Sequence, residues 1–246
     1  MVEISTVVIT KNEEGNLPRC LASVRSFSQE VVVVDSGSTD GTLEVASKAG
    51  ARVIPQEWLG YGRQKQFALE QARSPWVFSI DADEEVSPEL AAEIGRLDFS
   101  ADGYFVARRV WYLGRWIRQG TWNPDLVLRL FRRDRGHFTP ERVHETVELS
   151  GRAARLRWPL YHYSYRDIAH HLAKINEMTS LSAAQMKERG RRADWVKLTL
   201  SPGWEFFRCY VLRRGFLDGD AGFVVAKLHA YYHFLKYAKL KELERK

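Results

Sequence analysis

The stretch that decides the fold is Trp76-Val77-Phe78-Ser79-Ile80-Asp81-Ala82-Asp83-Glu84-Glu85. Its first five residues are mostly apolar and predict a strand buried on both faces, as a parallel sheet requires. The strand ends in two carboxylates one residue apart, and Glu84 and Glu85 add to the negative field. In open α/β sheets ligands bind outside the carboxyl ends of the strands, so Asp81 and Asp83 fall at a ligand edge. Two carboxylates at this spacing suit one hard cation, Mg²⁺ or Mn²⁺, bridged to substrate phosphates. The plainer alternative is an acidic turn leading into a helix capped by Ser87 and opened by Pro88.

Upstream, residues 31–34 are four valines that end in Asp35. Ser36, Gly37, Ser38, Thr39, Asp40 and Gly41 follow and lead to a helix at Thr42. Such a loop admits a nucleotide close to the backbone, with Asp35 accepting from a base or ribose. Equally, it is good turn chemistry with Asp40 as a cap. Further upstream, a strand predicted over 2–10 ends in Thr10, Lys11, Asn12, Glu13 and Glu14. Three strands thus end in polar clusters on one edge, which describes a crevice with the Asp81/Asp83 cation at its floor. Segments 16–27, 42–49, 64–72 and 88–97 carry helical spacing, and 52–54 reads as a short strand. Repeated βα units of this kind predict a mostly parallel α/β sheet.

Downstream the pattern changes. Residues 103–111 and 126–131 predict strands of a mixed part of the sheet. From Asp167 onward the chain reads as largely helical, most clearly over 168–187 and 223–243. Residues 1–103 hold 9 Lys and Arg against 17 Asp and Glu; residues 104–246 hold 28 against 14. An acidic half suits a cation, and a basic half suits phosphate, nucleic acid or an acidic membrane. Arg108, Arg109, Arg115, Arg118, Arg129, Arg132, Arg133 and Arg135 are interleaved with Trp111, Tyr112, Trp116 and Trp122, a mixture that suits a phosphorylated glycolipid and single-stranded nucleic acid alike. Over 223–243, Val224, Leu228, Tyr231, Leu235 and Ala238 form one apolar line flanked by lysines. That reads either as a helix on an anionic membrane or as one packed on the domain. Two distant cysteines, Cys20 and Cys209, argue against a disulfide framework and fit a reducing compartment. Neither a signal peptide nor a membrane-spanning segment is expected. The expected location is therefore the cytoplasm, soluble or peripheral on the inner face of the inner membrane.

TKNEE from Thr10, VVDSGSTDGT from Val33, GYGRQKQFALEQA from Gly60 and WVFSIDADEE from Trp76 together resemble the family 2 glycosyltransferases, over at least residues 2–162. RLFRR from Arg129, RVHE from Arg142 and RRGFLDGDAGF from Arg213 bring the resemblance closer to bacterial lipopolysaccharide core β-glucosyltransferases. The resemblance implies an α/β fold of the GT-A type, Rossmann-like, with a helical C-terminal extension. It implies a glycosyltransferase domain over 1–165, split into a nucleotide-binding part (1–103) and an acceptor-binding part (104–165). A helical, membrane-associating region over 166–246 follows.

The same resemblance implies residue roles. Thr10, Asn12 and Glu14 line the nucleotide pocket, and Asp35 contacts the base. Arg63 and Lys65 lie near the base or diphosphate. Asp81 touches the ribose or metal, Asp83 holds the metal, and His162, in LYHYSY, is a further metal ligand. Gly120 and Trp122 fall in a loop over the donor sugar. Glu145 matches the catalytic base, but the family motif ends Glu-Asp where this chain has His144-Glu145, so either residue fits that role. The implied reaction moves a hexose, glucose foremost, from a UDP-sugar to a phosphorylated glycolipid such as a lipopolysaccharide inner core, with inversion. A metal neutralises the diphosphate, and a base takes the acceptor's proton. Two other classes remain for the bare residues. One is a nucleotidyltransferase, although the Gly-rich phosphate loop common after the first strand is absent. The other is a non-catalytic module for an anionic glycan or nucleic acid. With Asp81, Asp83 and Glu145 intact, no nucleic acid partner is expected.

Overall fold

A computed structural model describes residues 2–140 and 146–245 of the chain. Strand and helix alternate at first: β1 (Ile4–Thr10), α1 (Leu17–Val24), β2 (Glu30–Asp35), α2 (Thr42–Lys48), β3 (Arg52–Pro55), α3 (Tyr61–Glu70), β4 (Trp76–Asp81), β5 (Glu84–Val86) and α4 (Pro88–Gly95). Strands then dominate: β6 (Gly103–Tyr112), β7 (Arg115–Trp116), β8 (Asp125–Arg132), β9 (Gly136–Phe138), β10 (Val147–Leu149), β11 (Ala153–Arg155) and β12 (Leu160–His162). Among the described residues three α-helices follow, α5 (Ile168–Glu188), α6 (Trp195–Phe207) and α7 (Gly219–Arg245), with a π-helical segment (Arg208–Leu212) and a 3-10 turn (Gly215–Asp218) between the last two. The described residues form two compact units that do not follow one cut in the sequence. The first runs to Arg108 and resumes over Asp125–His162; the second joins Arg109–Pro124 to the chain from Tyr163 onward.

The sheet of the first unit has the order β3-β2-β1-β4-β8-β6-β12-β5. The β3-β2-β1-β4 portion is parallel, and β8 and β6 add antiparallel. Strand order reverses direction between β1 and β4, the switch point at which open α/β sheets make a crevice. Side-chain alternation divides the core. Ile4, Val8, Val33, Phe78 and Ile80 pack on one face, and Val7, Val32, Val34 and Val77 on the other. That is why the valine run and residues 76–80 read as continuous apolar stretches rather than alternating ones. α1 covers the first face with Leu17, Cys20, Leu21 and Val24, a helical stripe. Ser87 caps α4 as its sequence predicts: the Ser87 hydroxyl accepts the Leu90 N–H at 3.2 Å.

In the second unit, Val110, Tyr112, Ile117, Cys209, Ala221, Val225 and Ala226 make a core. The motif from Arg213 acts structurally here. The Asp218 carboxylate accepts the N–H groups of Arg118 (3.0 Å) and Gln119 (2.8 Å). Gly222 lies so close to Gly215 that a Cβ on it would stand 1.9 Å from the Gly215 carbonyl oxygen. Burial, with His170 and Lys174 nearby, lowers the His171 pKa to about 4, so its neutral ring meets the Tyr112 hydroxyl at 2.9 Å. α7 packs against α5 and α6. Of the apolar line read on α7, only Tyr231 is exposed, and Val224, Leu228, Leu235 and Ala238 are half-buried. Cys20 and Cys209 are both buried and unbridged. No helix among the described residues is long and apolar enough to cross a membrane.

Candidate active site

Two loops at the carboxyl edge of the sheet are stitched together. Asn12, after β1, takes a left-handed φ of 56°. Its N–H donates to the Ser38 hydroxyl (2.9 Å), and its side-chain oxygen accepts the Thr39 N–H (2.8 Å). The Glu14 carboxylate accepts the Gly41 N–H at 2.7 Å, and a Cβ at Gly41 would stand 2.9 Å from that same oxygen. Close approach explains the glycine there. Asp35, at the end of β2, is buried. It accepts from the Thr10 and Ser38 hydroxyls and from the N–H groups of Gly37 and Ser38. Those four donors fill about the four acceptor positions of a carboxylate. Asp35 therefore shapes its own loop, and any contact with a base exchanges one of these bonds.

At the end of β4 the two carboxylates of the motif have different surroundings. Asp81 is held by the Lys65 ammonium (2.8 Å) and the Arg129 guanidinium (2.7 Å), with Arg108 at 3.9 Å. Burial works to raise its pKa, but Arg129, Lys65 and Arg108 outweigh burial and hold it well below the usual carboxylate range. Glu84 is fully buried beneath it. The Glu84 carboxylate accepts from Arg129 (2.6 Å), from Arg108 (3.3 Å) and from the Asp81 N–H (3.0 Å). Glu84 is thus the anionic centre of a buried ion cluster and not a contributor to an open negative field. Arg108 also reaches Asp125 at 2.8 Å. These two arginines of the basic half are occupied by carboxylates of the same unit and are not displayed for phosphate. Gln64, fully buried on α3, ties that helix to the edge: its amide donates to the Ser36 hydroxyl at 3.0 Å.

Asp83 instead faces His162, with Oδ1 and Nε2 3.3 Å apart. Sheet register explains the meeting of residues so distant in sequence. β12 pairs antiparallel with β5 so that His162 stands opposite Glu84, next to Asp83. Two ligand atoms that share an ion at about 2.1 Å on adjacent corners lie about 3 Å apart, so this pair fits a metal. An imidazole–carboxylate pair suits a first-row ion such as Mn²⁺ better than Mg²⁺, whose ligands are oxygens.

The structure therefore brings Thr10, Asn12, Glu14, Asp35, Lys65, Asp81, Asp83 and His162 into one unit, Lys65 from α3 and the others from strand ends, the loops after them or a strand paired to them. Arg63, on α3, is exposed. Gly120 and Trp122 belong to the second unit. There Gly120, at φ 78°, sits where a Cβ would stand 3.2 Å from the Cys209 sulfur. The Trp122 ring stacks on Tyr165 at 5.5 Å. His144 and Glu145 lie outside the described residues.

Residues 5–154 match the family model of Glycosyl transferase family 2. The chain belongs to that family. As a family 2 glycosyltransferase it has the α/β fold of the GT-A type, with a mixed sheet parallel over β3-β2-β1-β4 and helices at the C-terminal end. It is 34% identical to an uncharacterized glycosyltransferase of Rickettsia typhi, covering 100% of this chain and 89% of that one. It is 35% identical to the lipopolysaccharide core biosynthesis glycosyltransferase LpsC of Rhizobium meliloti, covering 96% of this chain and 91% of that one. Among solved structures, residues 1–349 of Staphylococcus aureus TarS in complex with UDP match at 18% identity with a TM-score of 0.49, covering 99% and 91% of the two chains. For the family 2 chain, the ion cluster of Arg108, Arg129 and Glu84 is what sequence reasoning missed. Its signal was present: Arg129 is a lone charge inside the apolar run Leu126-Val127-Leu128-Arg129-Leu130-Phe131.

Proposed function

We propose that this glycosyltransferase moves a hexose, glucose foremost, from a UDP-sugar to a lipopolysaccharide inner-core or similar glycolipid, by metal-assisted single displacement with inversion. The observation that carries the proposal is the Asp83–His162 pair at the carboxyl end of β4, beside the stitched loops of β1 and β2. The similarity to LpsC supports the glycolipid acceptor.

In this reading, Asp83 and His162 would hold a divalent ion, which would supply positive charge to neutralise the diphosphate. The loops carrying Thr10, Asn12, Glu14 and Asp35 receive the uridine, and Arg63 lies open to the diphosphate. Asp81, fixed by Lys65 and Arg129, aims at the ribose. Glu145 or His144 takes the acceptor hydroxyl's proton as the new bond forms on the face opposite the leaving group, so an α-linked donor gives a β-glycoside. Comparison of Glu145→Gln with His144→Gln identifies the base. The base variant keeps donor affinity and loses transfer; a Glu145→Gln enzyme with full turnover removes Glu145 from the role.

The testing experiment is calorimetric titration with UDP-glucose, UDP-galactose, UDP-N-acetylglucosamine and GDP-mannose, each with and without Mn²⁺. One UDP-sugar is expected to bind, and only with the ion. Binding of none of the four, or preference for GDP-mannose, overturns the donor assignment.

A further inference from the structure

α6 is built inside out. Its exposed line is Val196, Leu200, Trp204 and Phe207, spaced four, four and three residues apart, which is one helical face, and Val211, in the π-helical segment Arg208–Leu212 that follows, is exposed as well. Leu200 is 65% exposed and Trp204 55%, and Trp195 at the start of the helix is 73% exposed. The opposite face holds a carboxylate. Glu205 is buried, with Arg208 Nε 3.0 Å and His229 Nε2 3.3 Å from its Oε2. A helix that meets water puts its charges outward and its tryptophans and leucines inward. This one satisfies its polar groups within the unit and turns its apolar surface outward, and Leu212, Phe216 and Leu217 extend that surface past the helix end. A contiguous patch of this kind marks an interaction site.

Charge at the rim selects the partner. Residues 189–217 hold seven Lys and Arg against two Asp and Glu. Arg191 and Arg192 stand exposed before the apolar face, and Arg213 and Arg214 after it. Against a second copy of the chain, parallel or antiparallel, this face sets arginine against arginine. Against anionic phosphates, both ends are complementary. Tryptophans with an apolar body and a polar N–H suit the boundary between headgroups and acyl chains. Since no described helix can span, the surface lies in the plane of the lipid.

We propose that residues 195–217 form an in-plane anchor whose apolar face enters the outer few ångströms of an anionic bilayer, with Arg191, Arg192, Arg213 and Arg214 on the lipid phosphates. The anchor is on α6 and the turn after it, not on the α7 line that the sequence offers. It extends the glycolipid reading and rests on it for its purpose, because an enzyme acting on a lipid-borne sugar gains from being held at that surface.

The test is co-sedimentation of the full chain with vesicles of phosphatidylcholine alone, or of phosphatidylcholine and phosphatidylglycerol in a two-to-one ratio. Wild type is expected to pellet with the anionic vesicles and to remain mostly free with the neutral ones. A Leu200→Ser/Trp204→Ser double variant is expected to partition about tenfold less or weaker still. Its melting temperature and its UDP-sugar affinity in solution remain those of wild type, because both side chains are exposed. Equal pelleting of variant and wild type, or no pelleting of wild type with anionic vesicles, overturns the anchor. A wild-type dimer in gel filtration that the double variant converts to monomer assigns the face to a second copy instead, and also overturns it. Donor binding measured in the same samples without vesicles reports on the transferase reading separately.

Discussion

Replacing Asp83 with alanine is expected to lower kcat/KM by about a thousandfold, while UDP-sugar binding loses its dependence on Mn²⁺. The size follows from what the side chain does in the proposed reaction. A divalent ion stabilises the growing charge on the diphosphate by several kcal/mol, and each 1.36 kcal/mol is about tenfold in rate. His162 alone is a poor site for a hard ion. Asp83 and His162 are each 15% exposed at the side chain, so a thermal melt of Asp83→Ala beside the kinetics separates loss of the ion from loss of the fold. Asp83→Asn keeps the size and the contact with His162 but removes the charge, and is expected to behave like the alanine variant. The measurement is calorimetry with and without Mn²⁺ beside steady-state transfer. An Asp83→Ala enzyme with wild-type kcat/KM and Mn²⁺-dependent donor binding sinks the assignment. Asp81→Ala is expected to differ: it removes the carboxylate that Lys65 meets at 2.8 Å and one of the two carboxylates on Arg129, so its loss appears in stability as well as in rate.

That difference between Asp81 and Asp83 was not legible in the sequence. The alternation of buried strands and amphipathic helices was, because parallel strands covered on both faces must be apolar throughout, and β1, β2 and β4 each end where the polar residues begin. The edge of the sheet that carries the site followed from those endings. The partners of the two carboxylates did not follow, because they arrive by sheet register from β8, β6 and β12 and by packing from α3, and neither is visible to local spacing. β5 and β12 have three residues each, too few for any periodicity, yet their pairing sets His162 beside Asp83. His162 was reached through family resemblance alone. The outward apolar face of α6 was not read from the sequence for a related reason. Periodicity finds the apolar stripe of a helix but not which way the stripe faces, and the usual expectation turns it inward.

Arg129→Met is expected to destabilise the protein by about 3–5 kcal/mol, the cost of leaving buried charge without its partner. Arg129 is almost fully buried, and its guanidinium meets Asp81 at 2.7 Å and Glu84 at 2.6 Å. Burial works against its charge, but Asp81 and Glu84 outweigh burial and raise its pKa further. Methionine supplies comparable length and no charge, so the loss is electrostatic more than a matter of volume. Arg108 and Lys65 remain, which keeps the cost near the lower end of the range. The pH dependence has a definite sign. The folded-state pKa of Asp81 is depressed, so the stabilisation it reports is present above its unfolded value of about 3.9 and is lost as pH falls through the folded value. The deficit of Arg129→Met is therefore full at neutral pH and narrows below about pH 4. A second substitution separates ion pairing from packing. In Arg129→Met/Glu84→Gln the buried carboxylate is gone as well, so the double variant is expected to be less destabilised than the sum of the two single variants. Urea unfolding of the wild type, both singles and the double measures all four corners. Strict additivity assigns the loss to packing and removes the ion cluster as the element that holds Asp81 in place. A positive coupling, together with weakened UDP-sugar affinity in Arg129→Met under urea-free conditions where it is folded, ties the ion cluster to the proposed donor site.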